Sequence, residues 1–170
     1  MPYDSPSPDA WKSMKDQAGD PLPKPIDYVG AGTNALLIEN GKVLLQRRAD
    51  NGMWGLPGGG MDAGESMAEC AVREMWEETG IESRVKRLVG VYSDPAHHSI
   101  MSYKHGPEVR IVQYVIGLYE VERTGGEIRV SEESTAVEWH AVDNLPEPIS
   151  PAARLRITDG LAFQDSAFIR

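Results

Sequence analysis

Residues Gly59-Gly60-Met61-Asp62-Ala63-Gly64-Glu65, continued through Arg73-Glu74-Met75-Trp76-Glu77-Glu78-Thr79-Gly80-Ile81, place a tight turn directly before a helix carrying three closely spaced carboxylates. Seven of these places hold Gly, Glu or Arg at set offsets, each near a background of roughly 6 %, so coincidence at one position is of order ~10⁻⁹. On a helix each residue advances by about 100°. Glu74 and Glu78 therefore stack, Glu77 falls beside them, and the three acids share roughly a third of the circumference. Ala68, Ala71, Val72, Met75 and Thr79 form an opposite, mostly apolar arc, which docks the helix on a core and leaves its acids at the edge, where clefts occur.

Carboxylates this close must be exposed, partly protonated or neutralised by a cation. A charge run is ordinarily a solvated helix face, and the apolar arc argues against that here. A divalent metal satisfies all three acids, and hard oxygen ligands without His or Cys favour Mg²⁺ or Mn²⁺ over Zn²⁺. Mg²⁺ keeps waters and recruits phosphates, which points to a phosphoanhydride substrate. Arg73, four residues before Glu77, pairs with it or reaches back to Glu65; in either case it organises carboxylates. Gly58, Gly59 and Gly60 let the backbone approach a metal or phosphate closely. Cys70, the only cysteine, is read as helix packing and excludes an intrachain disulfide.

These residues resemble the box of the Nudix hydrolases: Gly, five residues, Glu, seven residues, Arg-Glu, apolar, any, Glu-Glu, any, Gly, apolar. Gly59, Glu65, Arg73, Glu74, Met75, Glu77, Glu78, Gly80 and Ile81 match every fixed place. The preceding Trp54-Gly55-Leu56-Pro57-Gly58-Gly59 is also similar to the family. The resemblance implies an α+β fold, an α/β/α sandwich with a mixed central sheet. It implies an enzyme hydrolysing a nucleoside diphosphate linked to another group. It assigns metal binding to Glu74, Glu77 and Glu78, with the Gly58 carbonyl adding a ligand, and leaves Arg73 and Glu65 to orient them. The general base in such enzymes is a box glutamate or an acid on a later loop; Glu77 and Glu132 are the candidates here, with Glu133 beside the latter. Tyr92-Ser93-Asp94-Pro95-Ala96 loosely resembles a segment of ADP-ribose pyrophosphatases, making ADP-ribose the leading substrate. The alternatives are a pyrophosphatase of modified nucleoside triphosphates and, from another class, a non-catalytic Nudix-like regulatory module, although such modules commonly lose box acids that this chain keeps.

Around the box, 170 residues with 41 % hydrophobic content can bury one ample core. Six of the 12 prolines fall within residues 1–25, an arm able to wrap the core or to exchange between subunits of a homodimer; residues 26–170 form a single domain. Ala35 to Ile38, Asn40-Gly41 and Val43 to Leu45 predict a hairpin with a type I′ turn. Further strands are expected over Arg84–Tyr92, Val109–Glu122 and Val137–Val142. A loop is expected over Ser93–Pro107 and a helix over Pro151–Ala162. A net charge of −9 offers no basic stripe for nucleic acid, and no apolar run approaches a membrane span, so a cytoplasmic location is expected. Substrate contacts are expected from Gly59, Gly60 and Arg48, with Arg47 on the opposite strand face. Trp54 reads as core before it reads as a stacking platform, and His97, His98 and Tyr103 sit in the loop where family members read substrate.

Overall fold

Asn40 and Gly41 both adopt positive φ, 50° and 72°, and close the expected type I′ hairpin between β1 (Tyr28–Glu39) and β2 (Lys42–Arg48). The structure, a computed structural model, describes residues 7–16, 19–97, 100–105, 108–162 and 164–170. β1 and β2 pair only beside the turn, at Ile38↔Val43 and Glu39↔Lys42, and then part. Along its other edge β1 runs parallel to β6 (Glu108–Gly126), from Tyr28↔Val112 to Leu37↔Val121. β6 takes β5 (Ile100–His105) beside its first half and β4 (Ile81–Tyr92) beside its second, both antiparallel. β2 pairs along its length with β7 (Ser134–Ala141) and, past the turn, with the short β3 (Trp54–Gly55). β8 (Phe168–Ile169) adds a parallel edge to β4, completing a mixed eight-stranded sheet.

The two faces of this sheet follow from alternation along β1 and β2, since successive side chains point to opposite sides. Leu36, Val43 and Leu45 join Trp54, Leu56 and Ile157, and so pack against α2 (Pro151–Leu161). Ala35, Leu37 and Leu44 instead meet Ala71 and Met75 of α1 (Met67–Thr79). One helix per face is the α/β/α sandwich expected from sequence. α2 lies so close to β1 that a Cβ at Gly160 would stand 2.1 Å from Leu36 Cδ2.

The segment Ser93–Pro107, expected to be a loop, instead holds a 3-10 turn at Pro95–His97 and strand β5. Its sequence carries no clean apolar alternation. Pairing with the leading half of β6 makes it a strand, anchored by Ile100, which is buried with Ile111. Leu22 of the arm closes the same small cluster, with Trp11, Met14 and Ile26 packed around it. β4 and β7 begin three residues earlier than expected, at Ile81 and Ser134. His98, and the side chains of His97 and Tyr103, lie outside the described residues. Among the described residues no helix is long and apolar enough to cross a membrane.

Candidate active site

Because β2 leaves β1 after the turn, the β1 edge from Ala31 to Ala35 is open, and the glycine loop fills it. The Thr33 N–H donates to Gly59 O (2.9 Å) and the Ala35 N–H to Pro57 O (2.9 Å), while the Met61 N–H donates to Ala31 O (3.0 Å). The fit excludes a side chain at Gly58 and crowds one at Gly59 against Glu74. A Cβ at Gly58, whose φ is 151°, would lie 2.1 Å from Thr33 O, and one at Gly59 would lie 2.5 Å from Glu74 Oε1. Behind this loop, α1 is fixed at both ends. Ser66 and Glu69 form a reciprocal capping box, a Ser-x-x-Glu signal legible in the sequence, and Gly80 ends the helix in the left-handed region at φ 76°.

Arg73 makes both of the pairings that the sequence left open. It grips Glu65 through Nε (3.0 Å) and Nη2 (2.7 Å), while Nη1 donates to Glu74 Oε1 (2.8 Å) and Glu77 Oε2 (2.9 Å). Nη2 also donates to Gly60 O (3.1 Å), tying the helix to the loop. Arg73, then the Asp62 N–H, hold the Glu65 carboxyl down to about 2. The Cys70 thiol, pushed up to about 11 by burial, accepts from Thr33 Oγ1 at 3.2 Å and is packing material.

The three box acids sit at different depths. Glu77 has a side chain 47 % exposed and Glu74 one 13 % exposed, whereas Glu78 is buried rather than at the helix edge. The reason is the loop: Glu78 Oε2 accepts from the Gly58 N–H at 2.7 Å, so the carboxyl is drawn under the sheet edge. Burial pushes Glu78 up to about 7, against hydrogen bonds from Gln46 and Gly58 and with the charges of Glu74 and Glu133. Burial likewise raises Glu74, opposed by Arg73. Among the described residues Glu78 has no ion-pair partner.

Gly58, Gly59, Gly60 and Arg48 line a cleft of about 1010 Å³, its open mouth included; the box acids do not line it and reach it through the glycine loop. Arg48 spends its fork on Asp50 (2.9 and 2.7 Å) while its charge is felt by Glu78 and Glu133. Of the two loop acids, Glu133 lines the cleft and Glu132 does not. Trp54 is core, edge-on to His140 at 4.5 Å. Two lining residues, Asn34 and Arg156, were not foreseen, nor was Gln46 against Glu78. Their signal was a polar side chain inside an apolar run: Asn34 before Ala35-Leu36-Leu37, and Gln46 after Val43-Leu44-Leu45.

The family profile described as NUDIX domain matches residues 30–159. The chain belongs to the Nudix family. A MutT-like protein of Streptomyces ambofaciens is 37 % identical over 123 residues, 72 % of this chain and 70 % of that one. An ADP-ribose pyrophosphatase of Methanocaldococcus jannaschii is 32 % identical over 123 residues, 71 % and 66 % of the two chains. A putative 8-oxo-dGTP diphosphatase of Bacillus subtilis is 33 % identical over 125 residues, 73 % and 74 %. Among solved structures, an ADP-ribose pyrophosphatase from Streptococcus suis superposes with a TM-score of 0.62 at 23 % identity, covering 83 % of this chain and 97 % of that one. This Nudix hydrolase accordingly cleaves phosphorus-containing anhydrides in nucleoside diphosphate derivatives, and such enzymes generally depend on a divalent metal.

The donor set fits such a metal. It is all oxygen, it includes a buried carboxyl without a cation, and Arg73 engages only one oxygen each of Glu74 and Glu77. The carbonyls of Pro57, Gly59 and Gly60 accept hydrogen bonds, whereas that of Gly58 accepts none from the described residues. Among the described residues no three His, Cys, Asp or Glu groups converge as a closed cage.

Proposed function

We propose that this Nudix hydrolase uses Mg²⁺, with Mn²⁺ able to replace it, to break the pyrophosphate linkage of a purine nucleoside diphosphate derivative. The observation that carries this is the buried Glu78 carboxyl, without an ion-pair partner among the described residues and hydrogen-bonded to the loop that lines the cleft. Glu74, Glu77 and Glu78 would hold the ion, with the Gly58 carbonyl beside them. When bound, it would supply charge neutralisation for the diphosphate. Arg73 and Glu65 keep the carboxylates aimed. The N–H groups and open backbone of Gly59 and Gly60 face the substrate, and Arg48 meets a phosphate once Asp50 releases it. Glu77, the most exposed box acid, or Glu133 takes the proton from the attacking water; Glu132, one residue too far round its turn, does not reach the cleft.

For the linked group, ADP-ribose is supported by the relative from M. jannaschii and an oxidised purine triphosphate by that from B. subtilis. The two differ at the base edge. We take the protein to act in the cytoplasm, and sedimentation in solution decides whether it does so as a homodimer. The deciding experiment is a hydrolysis panel of ADP-ribose, nucleotide sugars and oxidised triphosphates with Mg²⁺ or Mn²⁺, alongside Glu78→Gln. Full activity in that variant sinks the metal assignment.

A further inference from the structure

One wall of the cleft is built by α2. Its N-cap Ser150 and, in the first turn, Ala152 and Ala153 contribute, and one turn on comes Arg156. Arg156 is only 5 % exposed, its Nη1 donates to Asn34 Oδ1 at 2.7 Å, and its guanidinium stands 5.2 Å from the centre of the Tyr92 ring. Among the described residues its Nε has no hydrogen-bond partner and no carboxylate comes within ion-pair distance. A buried guanidinium with unused donors is costly unless something else fills them. Asn34 meets only Nη1, through its Oδ1, and its Nδ2 points to Pro57 O in a long 3.4 Å bond. Both polar side chains on this wall therefore present donors. The neighbouring surface is apolar or aromatic, from Leu56, Met101, Tyr114 and Ile116, and suits a flat heterocycle better than a second phosphate.

We propose that Arg156, held by Asn34, reads the substrate's base and selects 6-oxopurines over adenine. A 6-oxopurine offers two acceptors, O6 and N7, to a guanidinium fork; adenine offers N7 but sets its N6 amino donor against the arginine, leaving both unpaired. The inference rests on the reading that the cleft takes a nucleoside diphosphate derivative, and it ranks guanosine and inosine compounds ahead of ADP-ribose.

The test is calorimetric binding of GMP, IMP and AMP, with and without Mg²⁺, to the whole protein and to Arg156→Gln, Arg156→Met and Asn34→Asp. GMP and IMP should bind roughly 5- to 150-fold more tightly than AMP, the span of one bidentate base contact. Gln accepts from N6 and donates to N7, so Arg156→Gln should move the ratio toward AMP about tenfold or more, while Arg156→Met abolishes the preference. Asn34→Asp, which occupies the guanidinium internally, should weaken GMP and IMP but not AMP, and serves if the Arg156 variants fail to fold. Equal affinities of the wild type for GMP and AMP, binding of neither, or a ratio unmoved in folded variants overturns the proposal. Hydrolysis of ADP- and GDP-glucose at equal kcat/KM also overturns it but leaves the catalytic reading intact. A GMP preference without hydrolysis of any diphosphate does the reverse.

Discussion

Glu78→Gln should make the metal-free protein more stable, and only above a definite pH. The wild-type carboxyl is held near 7 in the fold by burial, against about 4.5 when free. Between those values the folded chain keeps a proton that the unfolded chain has lost, so stability falls as pH rises. The penalty is absent below pH 4.5, grows through the window to 7, and is complete above it, at about 3 kcal/mol. Gln keeps an acceptor for the Gly58 N–H, and once the Gln46 amide turns over, the new amide can donate to Gln46 Oε1, which has no partner among the described residues. The variant carries no charge to bury. Urea unfolding in chelator should thus give nearly equal stabilities at pH 4.5, a gap of roughly 2 kcal/mol at pH 6 and about 3 at pH 8. For a domain of this size the last corresponds to a rise in Tm of roughly 6–12 °C. Saturating Mg²⁺ should then reverse the order, because it binds the wild-type carboxylate cluster and raises only that protein's midpoint. A gap independent of pH, or a variant less stable at pH 8 without metal, refutes the view that Glu78 is a buried acid awaiting a cation.

Glu133→Gln should lower kcat by roughly 10²-fold, within the usual worth of a positioned acid, and Glu132→Gln by less than about twofold; steady-state kinetics separate the two loop acids. In Gly59→Ala the new Cβ pushes on the Glu74 carboxylate, so half-saturation by Mg²⁺ should rise about tenfold or more while the circular dichroism spectrum is kept. Ser66→Ala removes the α1 cap, whose bonds run to Glu69 and not to a box acid; chemical denaturation should show a loss of about 1 kcal/mol with kcat unchanged.

The hairpin, both helices and the opposed helix layers were legible because Asn40-Gly41, Gly80 and the period of α1 each state a local preference that the fold keeps. Arg73 could be given its partners because they sit within a few residues on one helix or the loop before it. β5 was not legible, since its strand character comes from β6, and neither was the arm's docking at Leu22. Glu133 and Glu132 are neighbours on a turn, and which one faces the cleft depends on the register of β7 against β2, where a shift between Arg47 and Arg48 alters the alternation. Arg156 lies 122 residues from Asn34, its one side-chain hydrogen-bond partner among the described residues, and nothing in the chain around it names that contact.

Depth was the other quantity the helical wheel could not supply. A spacing of four puts Glu74 and Glu78 on one face, yet the first keeps a side chain 13 % exposed and the second is buried, because only the second meets a loop N–H under the sheet edge. That N–H belongs to Gly58, a residue whose own backbone conformation and closeness to Thr33 O forbid a side chain. The glycines before the helix therefore do more than let a phosphate approach. They allow the loop to sit on β1 closely enough to pull one acid of the cluster out of water, and on the proposed reading it is that buried charge that a divalent cation would offset. A loop one side chain further out would leave three solvated carboxylates, for which Arg73 would be company enough.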